Sequence, residues 1–406
     1  MRAGIGFNNE INAFVSGVKI SEQALKYGNI TEPQIAFAFC GAGVDGSELL
    51  RGIISVLGTD IPVLGGSAVG IITNNTISYS GYPAGIVVVE DATMQVQVSV
   101  AEGLDDNGRV TGHKLASGLS PGERDTLFLF YDSVRKPPTQ TSPPQLNSSV
   151  PLIKGIADGL DRDMPIVGAG LLGDYTFSAP LLFAGDRIKS QCAAAAILSG
   201  EFTVDVRIMH GSSLKDGMYH TITRIAGPVI YEIDNLPAQE VITAIYGNEH
   251  WKKQMPLKRL TIGVNLGENE WDAFDEQSYV NRLILGPSAD DAGIVLFEED
   301  LEVGTRFQFM LRDPLKMIES ARHNTEVMIA ELRKRGKIPL WAFYIDCAGR
   351  SAEWTEIIDE DAAEIQKIMN REKIPLFGIY SGVEIAPFLN ENRGLDWTGV
   401  LTVFSA

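Results

Sequence analysis

One five-residue pattern occurs three times in this chain, as Ile61-Pro62-Val63-Leu64-Gly65, Met164-Pro165-Ile166-Val167-Gly168 and Ile374-Pro375-Leu376-Phe377-Gly378. Each copy follows a short apolar run, and a further apolar run lies downstream of it. Between the first run and the proline lies a stretch with apolar residues at helical spacing, which is clearest at 49–57. Strand, helix and strand in this order, with continuous apolar strands, indicate βαβ units in a sheet that is covered on both faces.

The positions of the three copies set the predicted domain organisation. Two copies lie before residue 210 and one lies after it, and a polar, proline-rich insert at 135–150 is typical of an exposed loop. We therefore predict an α/β fold with mixed sheets built from repeated βαβ-type units. We expect two domains, residues 1–215 and 216–406, with an internal duplication in the N-terminal one.

The composition limits the classes of partner. The 406 residues are 45% hydrophobic and 21% charged and carry a formal net charge of −18. A surface of that sign repels phosphate backbones and anionic lipid head groups, so we expect no nucleic-acid partner and no membrane partner. The N-terminal residues lack the apolar core of a signal peptide, and the three cysteines are too scattered for a disulfide framework. These features indicate a cytoplasmic protein.

The sequence shows no pattern typical of a metal or cofactor site. The five histidines are scattered and show no zinc-ligand spacing. The glycines at 168, 170 and 173 follow an apparent strand, but the long helix that a dinucleotide site needs does not follow them. The acidic stretch at 268–302 is more typical of a solvated face than of a calcium site. We therefore predict no metal ion and no resident cofactor.

The loops that follow the three proline-containing strands form the first candidate site. In open α/β sheets, ligands bind beyond the carboxyl ends of the strands. Counting the same distance from each proline gives Ile71, Asp174 and Glu384, so two copies place a carboxylate at this position. Small residues in these loops let the backbone approach either a ligand or a neighbouring strand. Two interpretations stay open, a ligand contact or a solvated carboxylate beside tightly packed strands.

The second candidate site is the turn Asp346-Cys347-Ala348-Gly349-Arg350-Ser351, which follows an apolar run. Its thiol, guanidinium and hydroxyl could bind an anionic group. In the alternative interpretation, Cys347 is a small buried residue and Ser351 caps the next helix. If the two strands of the third copy are neighbours, Arg350 and Glu384 share one edge of the sheet. We predict a polar pocket that contains both, with a direct ion pair and no pocket as the alternative.

These motifs resemble those of the FIST family. The similar stretches are 36–39, 49–52, 62–67 and 165–174 for the FIST N-terminal domain, and 231–238, 346–350 and 378–387 for the FIST C-terminal domain. Ile71 departs from the family, in which an acidic residue often ends the first turn. The resemblance implies a sensory, ligand-binding module of signal transduction. It also implies a separate output partner, such as a kinase or a cyclic-dinucleotide enzyme.

The function that we favour is that of a cytoplasmic small-molecule sensor, without catalytic residues. Arg350 would pair with a carboxylate and Glu384 with an amine, which suits an amino-acid-like ligand. The predicted ligand-binding residues are Arg350, Glu384, Cys347, Tyr380, Ser381 and Asp174.

Two alternative functions stay open. Some FIST proteins are haem-based nitric-oxide sensors, and a haem would need an axial ligand such as His210 or His220. A thiol-dependent enzyme would use Cys347 as its nucleophile, although the sequence shows no base beside it.

Overall fold

The computed structural model describes residues 1–139, 144–270, 272–357 and 359–406. The segment with the first copy of the pattern consists of β1 (Arg2–Asn8), α1 (Ala13–Gly28), β2 (Ile35–Cys40), α2 (Gly46–Leu57), β3 (Val63–Ser67), β4 (Gly70–Thr73), β5 (Ile77–Ser78) and β6 (Ala84–Glu90). β2 and β3 pair in parallel, as their strand–helix–strand pattern predicts. β6 and then β1 extend this sheet with antiparallel pairing.

The second segment repeats this order of elements. It consists of β7 (Gln95–Glu102), α3 (Gly108–Ala116), β8 (Thr126–Asp132), β9 (Val134–Lys136), β10 (Gln145–Leu146), α4 (Ser149–Gly159), β11 (Ile166–Leu171), β12 (Leu182–Ala184), β13 (Arg187–Lys189) and β14 (Cys192–Ser199). The predicted loop at 135–150 holds the paired strands β9 and β10 and the start of α4, so it is more ordered than expected. Residues 140–143 of that loop lie outside the described residues.

The third segment begins with β15 (Thr203–Met209) and is then interrupted by an insert of its own fold. The insert consists of β16 (Ser213–Ala226), β17 (Val229–Ile233), β18 (Leu236–Pro237), α5 (Ala238–Tyr246), β19 (Leu260–Asn265), β20 (Tyr279–Arg282), β21 (Ile284–Pro287), β22 (Ile294–Leu296) and β23 (Arg306–Leu311). Its strands form one continuous sheet in the order β20-β19-β23-β16-β17-β22-β21, with β18 paired to β17. A separate hydrophobic core, which includes Trp251, Phe307 and Phe309, supports this sheet.

After the insert, the third segment resumes with the long helix. It continues as α6 (Pro314–Lys334), β24 (Pro339–Cys347), α7 (Ala352–Thr355), α8 (Asp361–Glu372), β25 (Leu376–Ser381), β26 (Val383–Phe388), β27 (Glu391–Leu395) and β28 (Gly399–Ser405). As predicted, Asp313 caps α6, because its carboxylate accepts a hydrogen bond from the Leu315 N–H and proline occupies the first helical position.

Three six-stranded sheets result, and each combines strands of two segments. Their orders are β1-β6-β2-β3-β12-β13, β7-β14-β8-β11-β26-β27 and β15-β28-β24-β25-β4-β5. The hairpin that follows the proline strand therefore leaves its own segment and completes the sheet of another one. The exchange is cyclic, since the first segment completes the third sheet, the second completes the first, and the third completes the second.

A close approach between parallel strands requires the glycine of the repeated pattern. A Cβ atom added to Gly65 would lie 2.1 Å from the carbonyl oxygen of Ala38 on the neighbouring strand. The same distance is 1.8 Å from Gly168 to Leu129 and 2.5 Å from Gly378 to Tyr344. Non-bonded atoms do not approach each other this closely, so only glycine fits at this position. In all three copies, the glycine of the pattern is therefore packed against a neighbouring strand.

The inner faces of the three sheets share one hydrophobic core. Alternate residues of the middle strands β2, β8 and β24 enter this core, among them Phe37, Phe39, Phe128, Phe130 and Phe343. The other residues of the same strands face helices, with α1 and α2 covering the first sheet. Burial of both faces explains why these strands are continuously apolar in sequence.

The predicted α/β class with mixed sheets is confirmed, whereas the internal duplication stays a prediction. The predicted boundary between residues 215 and 216 falls inside β16, while β15 pairs with β28 of the C-terminal part. That boundary also stays a prediction. Among the residues that the structure describes, no helix combines the length and the apolar character that crossing a membrane would require.

Candidate functional site

A narrow apolar slot lies beyond the carboxyl ends of β11, β24 and β25, where the insert covers the third sheet. Its volume is about 40 Å³, which is the space of about three water molecules. It is lined by Leu172, Tyr175, Phe177, Pro256, Leu283, Phe297, Cys347, Ala348, Gly349, Trp354, Ser381, Gly382 and Trp397. The walls therefore come from the second segment, the third segment and the insert.

Larger grooves occur on the surface, but they do not contain the predicted site residues. One groove of about 650 Å³ runs between the start of β1 and the β4–β5 turn. Another, of about 840 Å³, runs along α4 and the β26–β27 hairpin, and ion pairs of Arg282 and Arg393 occupy its polar part. We therefore regard the slot as the candidate site, because it brings together Cys347 and Ser381 at neighbouring strand ends.

Cys347 is a wall residue of the slot rather than an activated nucleophile. It ends β24, pairs in parallel with Ser381 of β25, and is 3% exposed. Burial raises the pKa of its thiol well above the usual value, and the nearby Glu384 raises it further. The thiol is therefore protonated at neutral pH, and only a thiolate is a strong nucleophile. The geometry thus offers a small, polarisable side chain at the floor of the slot.

Arg350 lies behind the slot and is fully engaged by other groups. Its Nε donates to Asp346 Oδ1 at 2.8 Å and its Nη2 donates to Asp361. Its Nη1 donates to the carbonyl oxygens of His210, at 2.9 Å, and Trp397, at 3.2 Å. Burial acts to lower the pKa of Arg350, but Asp361 and Asp346 outweigh it, so the guanidinium stays charged. The anticipated ion pair with Glu384 is not formed, because these two aspartates are closer partners.

Glu384 is buried beside Ser381 and does not line the slot. Its Oε1 accepts a hydrogen bond from Ser381 Oγ at 3.0 Å, and its Oε2 accepts one from the Thr398 N–H at 3.3 Å. Burial raises the pKa of Glu384 well above its usual value, and the neighbouring Asp346 raises it further. Its two hydrogen-bond donors act against this rise without cancelling it. The structure does not show the predicted polar pocket shared by Arg350 and Glu384.

Tyr380 holds the third sheet to the first segment rather than facing the slot. Its hydroxyl donates to Glu360, which also accepts a hydrogen bond of 2.6 Å from Tyr79 Oη. Tyr79 belongs to the hairpin that the first segment contributes to this sheet. The pair of tyrosines on one carboxylate thus fastens the exchanged hairpin to the start of α8.

Asp174 shapes the loop that supplies one wall of the slot. Its Oδ1 accepts hydrogen bonds from the N–H groups of Thr176, at 2.8 Å, and Ser178, at 3.1 Å, and its Oδ2 accepts one from Ser178 Oγ at 2.6 Å. Burial acts to raise its pKa, but these hydrogen bonds outweigh it and the pKa is lowered. The ionised side chain therefore organises the turn that presents Tyr175 and Phe177.

The expected equivalence of Asp174 and Glu384 is wrong. In the second sheet, Glu384 pairs with Ala169, the residue after the glycine of the pattern. In the first sheet, the residue after that glycine is Gly66, which pairs with Leu182. The counterpart of Glu384 in the second segment is therefore Leu182. Asp174 instead precedes β12 in a loop that is longer in the second segment than in the others. Counting from the proline failed because it assumed loops of equal length.

The aromatic residues of the slot gave no signal in the sequence. Tyr175 stacks on Trp354 with 5.8 Å between ring centroids and 19° between the ring planes. Trp397 lies under the guanidinium of Arg312, whose Cζ is 3.5 Å from the ring centroid. Phe177 and Trp397 both have positive φ, 57° and 56°, which is rare for bulky residues. Tyr175, Phe177 and Trp397 lie in loops, where no periodicity marks a buried face, and Trp354 lies on the four-residue helix α7.

The two histidines considered as haem ligands are engaged elsewhere. His210 Nδ1 accepts a hydrogen bond from the Ser212 N–H, and its Nε2 donates to the Glu276 carbonyl oxygen. His220 Nδ1 lies 2.7 Å from Asp234 Oδ2. Neither histidine lines the slot, which is too small for a porphyrin. Within the described ranges, no group of three His, Cys, Asp or Glu residues could hold a metal ion.

The fold and the slot together define a mixed α/β protein with a cavity at its strand ends. Residues 34–236 match the family model of the FIST N domain, and residues 238–387 match that of the FIST C domain. The chain therefore belongs to the FIST family, as its resemblance implies, and the expectation of two domains is confirmed. FIST domains are sensory domains of signal-transduction proteins.

Solved structures show only faint similarity to this chain. A cyanuric acid hydrolase from A. caulinodans has 10% identity over 49% of this chain and 70% of that chain, with a TM-score of 0.22. PurLQS from Thermotoga maritima has 10% identity over 99% of this chain and 72% of that chain, with a TM-score of 0.21. The T. maritima PurL complexed with FGAR has 9% identity, the same coverage and a TM-score of 0.22. Such low scores carry no argument, and a comparison with curated proteins finds no match.

Proposed function

We propose that this chain is a cytoplasmic sensor that binds a small ligand in the apolar slot and signals through a separate output protein. The observation that carries the proposal is the position of the slot at the strand ends, where ligands of α/β sheets bind. Its lining residues come from the loop after β11, from the third segment and from the insert.

Ligand binding at this junction would stabilise one arrangement of the three walls. A ligand that contacts all three walls binds best when they are close together, so it shifts the population towards that state. The insert is the wall that can transmit the change, because it has its own sheet and core. A kinase or a cyclic-dinucleotide enzyme would read its position. The net charge of −18 does not favour nucleic acid or a membrane as the partner.

The amino-acid-like ligand expected from the sequence finds little support at this slot. Arg350 is bound by two aspartates, and Glu384 is buried and hydrogen-bonded to Ser381, with its pKa raised by burial. Neither side chain lines the slot. We therefore propose a small metabolite as the ligand, without a resident cofactor and without an enzymatic step, and we keep amino acids as the comparison class.

A thermal-shift screen with small metabolites tests the proposed function. Cys347→Leu fills the slot, and Cys192→Leu is its matched control, because Cys192 is also buried but lies at the start of β14. We expect ligands to raise the melting temperature of the wild type and of Cys192→Leu, and not that of Cys347→Leu. A screen without any response, or equal responses in both variants, would contradict the proposal.

A further inference from the structure

We infer that the ligand of the slot is a neutral, planar molecule with a hydrogen-bond acceptor, which the indole N–H groups of Trp354 and Trp397 recognise. This inference rests on the proposed function and adds the chemical class of the ligand. Three independent features of the slot support it: its unpartnered donors, its flat walls and its lack of charge.

The donors stand out when the tryptophans are compared. In the described part of the chain, Trp251 Nε1 donates to Thr243 Oγ1 at 2.9 Å and Trp341 Nε1 donates to Met1 Sδ at 3.3 Å. The Nε1 atoms of Trp354 and Trp397 are buried without a partner, and both residues line the slot. A buried donor without an acceptor is destabilising, and buried indoles usually have a partner. An acceptor on the ligand would remove this deficit.

The walls of the slot favour a flat molecule. Tyr175, Phe177, Phe297, Trp354 and Trp397 surround it, and aromatic faces pack well on planar rings. Trp397 is fixed in place by two contacts. The guanidinium of Arg312 covers one face of its ring. Its ring also packs directly against Gly349, since a Cβ atom added to Gly349 would lie 1.8 Å from Trp397 Cζ3. Trp397 thus provides one rigid aromatic wall for a planar ligand.

The lining of the slot favours a neutral ligand. No Asp, Glu, Lys, Arg or His is found among its described lining residues. Arg312, which lies beside the slot, donates to the carbonyl oxygens of Lys258, at 2.6 Å, and Gly349, at 2.7 Å, and stacks on Trp397. A carboxylate or ammonium group entering the slot would lose its hydration without gaining a counterion. A neutral acceptor, such as a ketone or an amide, avoids this loss.

The size of the slot indicates how such a ligand enters. A cavity of about 40 Å³ is smaller than a ring needs, since a cavity that holds benzene has about 150 Å³. Trp354 is the wall that can move, because it lies on the four-residue helix α7. Its indole stacks on the ring of Tyr175. The ammonium group of Lys258 lies 5.2 Å from the centroid of the same indole. Ligand binding would therefore shift α7 outward while Trp397 stays in place.

The test uses three probes of one shape, acetophenone, α-methylstyrene and benzoate. Acetophenone has the acceptor, α-methylstyrene replaces its oxygen by a methylene group, and benzoate carries a charge. By calorimetric titration we expect acetophenone to bind about fivefold to tenfold more tightly than α-methylstyrene, as one hydrogen bond implies. Benzoate should bind more weakly than either, and so should phenylalanine, which is added as a fourth probe to represent the amino acids.

Variants assign this preference to the indole groups. Trp397→Phe keeps a ring and removes one of the two N–H groups, so it should reduce the preference for acetophenone and leave the affinity for α-methylstyrene unchanged. Trp354→Phe, on the short helix, serves the same purpose if Trp397→Phe does not fold. Trp251→Phe is the control, because its indole lies in the core of the insert, and it should change neither affinity.

The outcomes separate the inference from the proposed function. Equal affinities for acetophenone and α-methylstyrene, or a preference for benzoate or phenylalanine that Cys347→Leu removes, would overturn the inference and leave the slot as a ligand site. If no probe and no metabolite of the screen binds, the proposed function fails as well.

Discussion

The first and third sheets end in the same way along the backbone but differ in what lies beyond. Each sheet places a cysteine and a serine at the ends of its parallel strands, Cys40 with Ser67 and Cys347 with Ser381. At the first end the loop before β12 closes the space, because Ser67 N–H donates to the Leu181 carbonyl oxygen and Ser67 Oγ accepts from the Leu181 N–H, both at 2.9 Å. At the third end the insert lies above the strands and leaves a slot.

The repeated arrangement of strands therefore does not by itself make a site. The glycine of the pattern serves strand packing at both ends. Only the third end combines an insert, loops rich in aromatic residues and a network of buried charges around Arg350. Function is therefore expected where the frame receives additional elements, in agreement with the general rule that binding residues lie on loops held by a rigid scaffold.

The largest effect is expected from breaking the charge network of the third end. Arg350→Met leaves Asp346 and Asp361 buried without a cation, which should lower the free energy of unfolding by about 3–5 kcal/mol. At the first end, the corresponding turn carries Asp45, which caps α2 by accepting hydrogen bonds from the Ser47 and Glu48 N–H groups. Asp45→Ala should lower the free energy of unfolding by only about 1 kcal/mol. Denaturant unfolding measures the free energy of unfolding of both variants. Similar losses for Arg350→Met and Asp45→Ala would contradict the expected difference between the two ends.

The second prediction concerns the pH dependence of stability at the third end. Asp396, next to Trp397, is fully buried, and burial raises its pKa to about 7 although Arg282 acts to lower it. The folded protein therefore binds more protons than the unfolded chain, in which the pKa is about 3.9. The stability contributed by Asp396 is complete below about pH 4 and is lost as the pH rises to about 7.

Asp396→Asn should remove this fall, which amounts to up to about 4 kcal/mol between the two pH values. The Asn side chain keeps an acceptor for the Leu283 N–H, which donates to Asp396 at 2.8 Å. Glu391→Gln, at an exposed position of the neighbouring hairpin, is the control. Unfolding curves between pH 4 and pH 8 measure the effect, and identical slopes for wild type and Asp396→Asn would disprove this assignment.

A smaller effect is expected from the glycine of the pattern. Gly65→Ala introduces a Cβ at 2.1 Å from the Ala38 carbonyl oxygen and places alanine at a φ of 128°, so it should lower the free energy of unfolding by about 2–3 kcal/mol. Gly378→Ala, at 2.5 Å from the Tyr344 carbonyl oxygen and without a positive φ, should have a weaker effect. Gly185→Ala tests the effect of a positive φ alone, because no heavy atom of the described residues lies within 4 Å of the added Cβ. A larger loss at Gly378 than at Gly65 would refute the strain argument.

The smallest effect concerns the movable wall of the slot. Lys258→Met removes the ammonium from Trp354 and from its exposed ion pair with Glu356. We expect a loss of about 0.5 kcal/mol, because cation–π contacts and ion pairs are weak in water. Thermal unfolding with and without salt checks the value. A loss above about 2 kcal/mol would show that Lys258 has a structural role beyond α7.

Local patterns predicted the strands and the turn residues of the fold. The apolar runs, the helical spacing and the prolines indicated parallel strand pairs, and the structure forms them as β2–β3, β8–β11 and β24–β25. The exchange of hairpins between sheets was not predictable in this way. It depends on long-range pairing, such as that of β4 with β25, and local periodicity carries no information about the partner strand.

The candidate site was predictable only in part for the same reason. Cys347 and Ser381 lie at the slot because strand ends are readable in sequence. Arg350 was expected to bind a ligand, but Asp361 and two carbonyl oxygens from other elements engage it. Trp397 was missed as a site residue because a single aromatic residue in a loop shows no period, and Trp354 was missed because its helical spacing indicates a packed helix face rather than a site.

Titration with acetophenone, followed by the indole ¹H–¹⁵N signals of the five tryptophans, tests whether the third strand end is the ligand site. Each signal is assigned from a Trp→Phe variant. We expect the signals of Trp354 and Trp397 to shift with one common affinity, because their N–H groups gain an acceptor. The signals of Trp251 and Trp341, which already donate to Thr243 and Met1, should stay in place. Shifts of Trp251 or Trp341 without those of Trp354 and Trp397 would show that the ligand binds elsewhere.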